Sequence, residues 1–131
     1  MAVLTRHAAR IFSGQVLKIE HKDADAGSPA TTVITLRVEN PVRGVRRGQV
    51  VQVREWGVLW NEGERFREGE HVFLFLYADS RLGLTSPVKG NLGHYVIDRD
   101  GRVHGSRGGV NRNPVTVRKF VAAIRRAAAV E

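Results

Sequence analysis

The segment His71 to Tyr77, HVFLFLY, is apolar at every position from Val72 to Tyr77. A run this short, apolar without alternation, reads as a β-strand whose two faces are both covered. In a small barrel, one face of such a strand points into the interior, so another element must lie over the outside. The segment therefore predicts a barrel and a covering element.

The covering element is found at the far end of the chain. Thr116 is a good N-cap, Val115 and Phe120 form the pair expected of a hydrophobic staple, and Val117, Phe120, Val121, Ile124 and Ala128 share one helical face. Arg118, Lys119, Arg125 and Arg126 fall largely on the rest of the surface, so the pattern is an amphipathic helix with a basic rim. A helix lying in a membrane surface has a similar pattern, but this apolar face is small and rich in alanine, which favours packing on the sheet.

Upstream of His71, three more strand patterns occur. Ile11 to Glu20 (IFSGQVLKIE) carries a central Gly14, the mark of a bulge or sharp bend. Thr32 to Asn40 alternates, with Thr32, Ile34, Leu36 and Val38 on one face. Gln49 to Trp56 follows after a turn formed by Pro41 and Gly44 to Gly48, and the two strands read as a hairpin. Gly57 to Gly69 is a long loop in which Trp60 and Phe66 are the expected apolar anchors. Downstream, Leu84 to Val88 is a short strand, and Tyr95 to Arg99 and Arg102 to His104 flank Asp100-Gly101, a dipeptide preferred in two-residue type I′ turns.

These elements fit one domain in 131 residues: a barrel over 10–104, a flexible linker over 105–114 and the helix over 115–129. The expected fold is mostly β, a five-stranded Greek-key barrel of OB type with the C-terminal helix packed on it. Within that class, IFSGQVLKIE, TTVITLRVENPVRG and FREGEHVFLFLY resemble the netrin-like domains related to the tissue inhibitors of metalloproteinases. The shared features are a G-x-V first strand (Gly14 to Val16), a V-x-x-x-x-x-G second strand and turn (Val38 to Gly44), and a G-E entry (Gly69-Glu70) into the apolar strand. The resemblance covers about residues 10–98 and implies a bacterial envelope or secreted barrel that binds another protein. The inhibitors act through an N-terminal cysteine that chelates the protease zinc, and this chain has no cysteine, so that chemistry is not implied.

The formal charge is +8, of which +6 lies between Arg99 and Glu131, so a partner reading charge would meet the C-terminal third. Arginine outnumbers lysine 17 to 4, as a GC-rich genome produces without selection for a polyanion. No apolar run is long enough for a membrane-spanning helix. Residues 1–10 lack the apolar core of a secretory leader, which leaves two localisations open: periplasmic or secreted, as the resemblance implies, or cytoplasmic.

A catalytic constellation is not expected. The histidines His7, His21, His71, His94 and His104 form no metal-ligand spacing and read as scattered surface or strand-edge residues, so neither metal nor cofactor is expected. Glu62, Glu64, Glu68 and Glu70 alternate with Arg65 and Arg67, the pattern of a solvated face. Ser13 and Ser86 lack a nucleophile-elbow context, and Gly105 to Gly109 has no lysine of a phosphate loop. The expected function is a non-catalytic binding or structural module, monomeric or weakly associating, with another protein as partner. The alternative is a single-strand nucleic-acid binder using the outer faces of the second and third strands. The candidate binding residues are Arg37, Arg43, Arg46, Arg47, Arg54, Trp56 and Trp60. One aromatic on those strands is thin for base stacking, and Glu39 and Glu55 oppose phosphate.

Overall fold

A computed structural model describes residues 2–22, 31–56, 67–78, 94–105 and 115–129. In chain order the elements are α1 (Ala2–His7), β1 (Arg10–Lys22), β2 (Thr31–Arg43), β3 (Val50–Trp56), β4 (His71–Leu76), β5 (His94–Ile97), β6 (Arg102–Gly105), β7 (Val115–Thr116) and α2 (Val117–Ala129). The strands form one antiparallel sheet in the order β3-β2-β1-β4-β5-β6-β7. The fourth strand returns to lie beside the first, which is the Greek-key arrangement. The ladder has seven strands where five were expected, and its edges β3 and β7 do not pair with each other, so the described sheet is open.

Burial of β4 on both faces follows the sequence pattern. Val72, Leu74 and Leu76 join an inner cluster with Phe12, Ile34 and Val53, all of them buried and all from the sheet. Phe73 and Phe75 join an outer cluster with Ile11, Val103, Phe120 and Ile124, where α2 covers the sheet. The Phe120 ring stands nearly perpendicular to Phe73, with centroids 4.8 Å apart, a favourable edge-to-face contact. Tyr77, expected inside with the rest of the run, is exposed at 38% because β4 ends at Leu76.

The buried residues of the inner cluster all come from strands, β1 and β2 among them. The pairing of β1 with β2 is interrupted at Ile11/Phe12, Ser13/Gly14 and Val16/Lys18. A bulge adds an unpaired residue to one strand, and the strand bends and twists more strongly there. Gly14 is needed at the second interruption, because a Cβ there would lie 2.6 Å from the backbone oxygen of Arg37.

Three local expectations change. Pro41, expected in a turn, lies within β2, which runs on to Arg43. Strand β3 pairs only with Thr31 to Arg37, so Pro41 sits on the overhang where β2 itself is an edge, as prolines in sheets do. The β5–β6 hairpin turns through the four residues Asp98 to Gly101 rather than two, with Gly101 at φ 75° and its N–H donating to the Asp98 oxygen at 3.0 Å. Val115 and Thr116, expected in the helix, pair with β6 as β7. The Thr116 cap holds: its Oγ1 accepts from the Lys119 N–H at 3.3 Å. The N-terminal turn α1, which the sequence pattern did not announce, packs against α2. The proposed strand Leu84 to Val88, the long loop with its anchors Trp60 and Phe66, and linker residues 106–114 lie outside the described residues.

Candidate functional site

Two clefts open on the helix-covered side of the sheet, and they share Asn40 and Val117. Both are lined by residues at the bulge in β2. Ser13 pairs with Asn40 and Gly14 with Val38, so Glu39 is the extra residue, and Glu39 and Asn40 both line the first cleft. A bulge re-aims side chains in this way.

The first cleft holds about 680 Å³ between the bulge, the start of β4 and the β5–β6 turn. Glu39 Oε1 and His71 Nδ1 lie 2.7 Å apart, an interaction that ties β2 to β4 across β1. Asn40 Nδ2 donates to the buried Ser13 Oγ at 2.7 Å. At the turn, Asp98 Oδ1 accepts from the N–H groups of Asp100 and Arg102, and Oδ2 lies 2.6 Å from His104 Nε2. The groups with acid–base capability here are bonded to one another in pairs. Glu70 is the exception: its Oε1 is buried and accepts no hydrogen bond among the described residues.

The titration of two carboxyls follows from these contacts. Burial pushes Glu70 above its ordinary value of 4.5, with Arg67 opposing the rise. The Arg102 N–H and the His104 ring hold Asp98 below its ordinary 3.8. The two therefore act on stability with opposite signs. The folded state favours protonated Glu70, so its contribution is full below 4.5 and is lost as pH rises through the raised value. It favours ionised Asp98, whose contribution is present above 3.8 and lost as pH falls through the lowered value. Glu70→Gln is thus expected to stabilise the fold at neutral pH, and Asp98→Asn to destabilise it. Urea midpoints measured from pH 3 to pH 8 check both (a range that brackets ordinary carboxyl values), and an unchanged midpoint for Glu70→Gln at neutral pH would contradict the burial of its charge.

The second cleft, about 700 Å³, runs between the β2–β3 turn and α2. Arg47 lines one wall, Arg118 and Arg125 the other, with Val117, Val121 and Pro41 between them. All three arginines are exposed, and none is joined to a carboxylate among the described residues.

The candidate residues read from the sequence separate here. Arg47 is in the second cleft. Arg37 and Arg54 are exposed on β2 and β3, Arg54 opposite Val33 and Arg37 opposite Val50, away from both clefts. Arg46 is exposed in the β2–β3 turn. Arg43 is half-buried and donates to the oxygens of Thr5 and Ala8 at 2.6 and 3.0 Å, so it caps the end of α1 rather than facing a partner. Arg43→Ala is expected to cost about 1.5 to 3 kcal/mol, as for a hydrogen bond from a charged donor, and Arg46→Ala close to nothing. Thermal unfolding of the two variants checks this, and equal midpoints would remove the capping role. The side chain of Trp56 and all of Trp60 lie outside the described residues.

The histidines and glutamates also divide. His94 is buried at 1% and not at a surface, while His71 and His104 are paired with carboxylates. Glu68, exposed, accepts from the Ile19 N–H, whereas Glu70 is drawn into the cleft instead of a solvated face. No group of three or more metal-ligating side chains occurs among the described residues. No described helix is long and apolar enough to cross a membrane. Comparison with protein-family models, curated proteins and solved structures finds no match.

Proposed function

We propose that this chain is a non-catalytic binding module whose partner is another protein, working in a bacterial envelope or secreted system. The observation that carries the reading is a contrast between the two clefts. In the first, Glu39 is bonded to His71, Asn40 to Ser13 and Asp98 to His104, while in the second three exposed arginines from two elements have no carboxylate partner among the described residues. Groups bonded to each other hold a fold together; unpaired charges on an open groove are available to a partner. The envelope location rests on the netrin-like resemblance. The bends in β1 and β2 and the helix-free inner cluster support an OB-type barrel as the finer description of the sheet.

The nucleic-acid reading is tested directly. Titration with a labelled oligothymidylate at low salt is expected to show no saturable binding. Saturable binding that falls steeply as salt rises is the signature of phosphate contacts and would replace the protein-binding reading.

A further inference from the structure

We infer that the groove between the β2–β3 turn and α2 is a docking site for an extended acidic segment of a protein partner. The inference rests on the protein-binding reading and adds to it the place and the chemistry of the contact.

Charge complementarity carries the argument. Arg47 comes from the turn, and Arg118 and Arg125 come from α2, so the groove joins basic residues from two stretches far apart in the chain. Among the described residues no acidic side chain lines it, and Val117, Val121 and Pro41 give it an apolar lining. A guanidinium without a partner presents a planar fork of donors that fits a carboxylate in two parallel hydrogen bonds. An apolar floor between such forks suits a chain that alternates acidic and aliphatic side chains, as an extended strand does.

The length of the groove separates a peptide from a nucleic acid. Arg118 and Arg125 are seven residues apart on α2, roughly 10 Å at the helical rise, which an extended chain covers in about three residues. Single-strand binding by a barrel of this size takes about 4 to 16 nucleotides and relies on aromatic rings under the bases. Among the described residues this groove has no aromatic in its lining, and where it meets the first cleft at Asn40 and Val117 a continuing phosphate backbone would face the carboxyls of Glu39, Glu70 and Asp98 against the guanidinium of Arg99.

The test measures fluorescence anisotropy with the full chain and a short labelled peptide of alternating glutamate and valine, against the same peptide with glutamine in place of glutamate. The glutamate peptide is expected to bind, the glutamine peptide not, and Arg118→Glu with Arg125→Glu is expected to weaken binding by about tenfold or more, as charge reversal at a recognition contact does. Arg37→Glu with Arg54→Glu, away from the groove, is expected to leave it within about twofold, since rim charges outside a contact contribute little. Should the α2 variant fail to fold, Arg47→Ala, in an exposed turn, reads the same contact from the opposite wall. Binding unchanged in the α2 and Arg47 variants but lost in the β2–β3 variant would overturn the groove while leaving a protein partner in place. Displacement of the peptide by oligothymidylate would overturn both.

Discussion

Replacing Phe75 by alanine is expected to lower the unfolding free energy by about 3 to 5 kcal/mol, the usual cost of deleting a buried phenylalanine. Phe75 is fully buried, 5.8 Å from Phe73, 6.0 Å from Tyr95 and 6.2 Å from Phe120 between ring centroids. The cavity would open at the centre of the seam between β4 and α2, where neither the sheet nor the helix can collapse to fill it without losing its other contacts. The loss is read from chemical denaturation, and the helix should loosen with it: amide exchange in residues 120–126 is expected to quicken. A change below about 1 kcal/mol would put Phe75 at a surface and break the assignment of α2 to the outer face.

Gly14→Val is expected to cost about 3 kcal/mol or more, at or beyond the upper end of the penalty for overpacking. The obstacle is backbone: the new Cβ would stand 2.6 Å from the Arg37 oxygen, with the Phe12 ring at 3.4 Å. A carbonyl in the β1–β2 ladder cannot give way as a side chain tip does, so the bulge itself must open. That bulge places Glu39 and Asn40, and the variant is therefore also expected to separate the Glu39–His71 pair, seen as a change in the His71 ring resonances. Full stability in Gly14→Val would mean that β1 and β2 do not approach as closely as described.

Both predictions rest on features legible in the linear order of residues. Unbroken apolarity from Val72 onward required two covered faces, and the periodicity from Val117 to Ala128 identified what covers one of them. Gly14 was recognisable as a bend because a glycine inside a strand pattern has few other uses. Less legible were the ends of elements. Pro41 and Tyr77 differ from their expected places because the extent of a strand depends on its neighbours, and β3 stops short of Pro41 while β4 ends before Tyr77. Helix α1 carries no amphipathic pattern of its own; the carbonyls of Thr5 and of Ala8, just past its end, are held by Arg43, 35 residues or more away.

The candidate site was legible only in part. Arginines in two stretches were visible as charge, and composition alone pointed to a basic third at the C-terminus. The sequence by itself determined the β character, the bend at Gly14, the doubly covered strand and the capped helix, because each follows from local side-chain chemistry and its period. Only the tertiary structure decided which charges are free. Arg43 and Arg47 are four positions apart in the chain, yet one is spent on the end of α1 and the other lines the groove with α2. His71 and Glu39, distant in sequence, meet because the bulge in β2 re-aims Glu39 across β1. Charge and apolarity are properties of single residues and can be read in order; a partner is a property of position, and position is set where the strands bend.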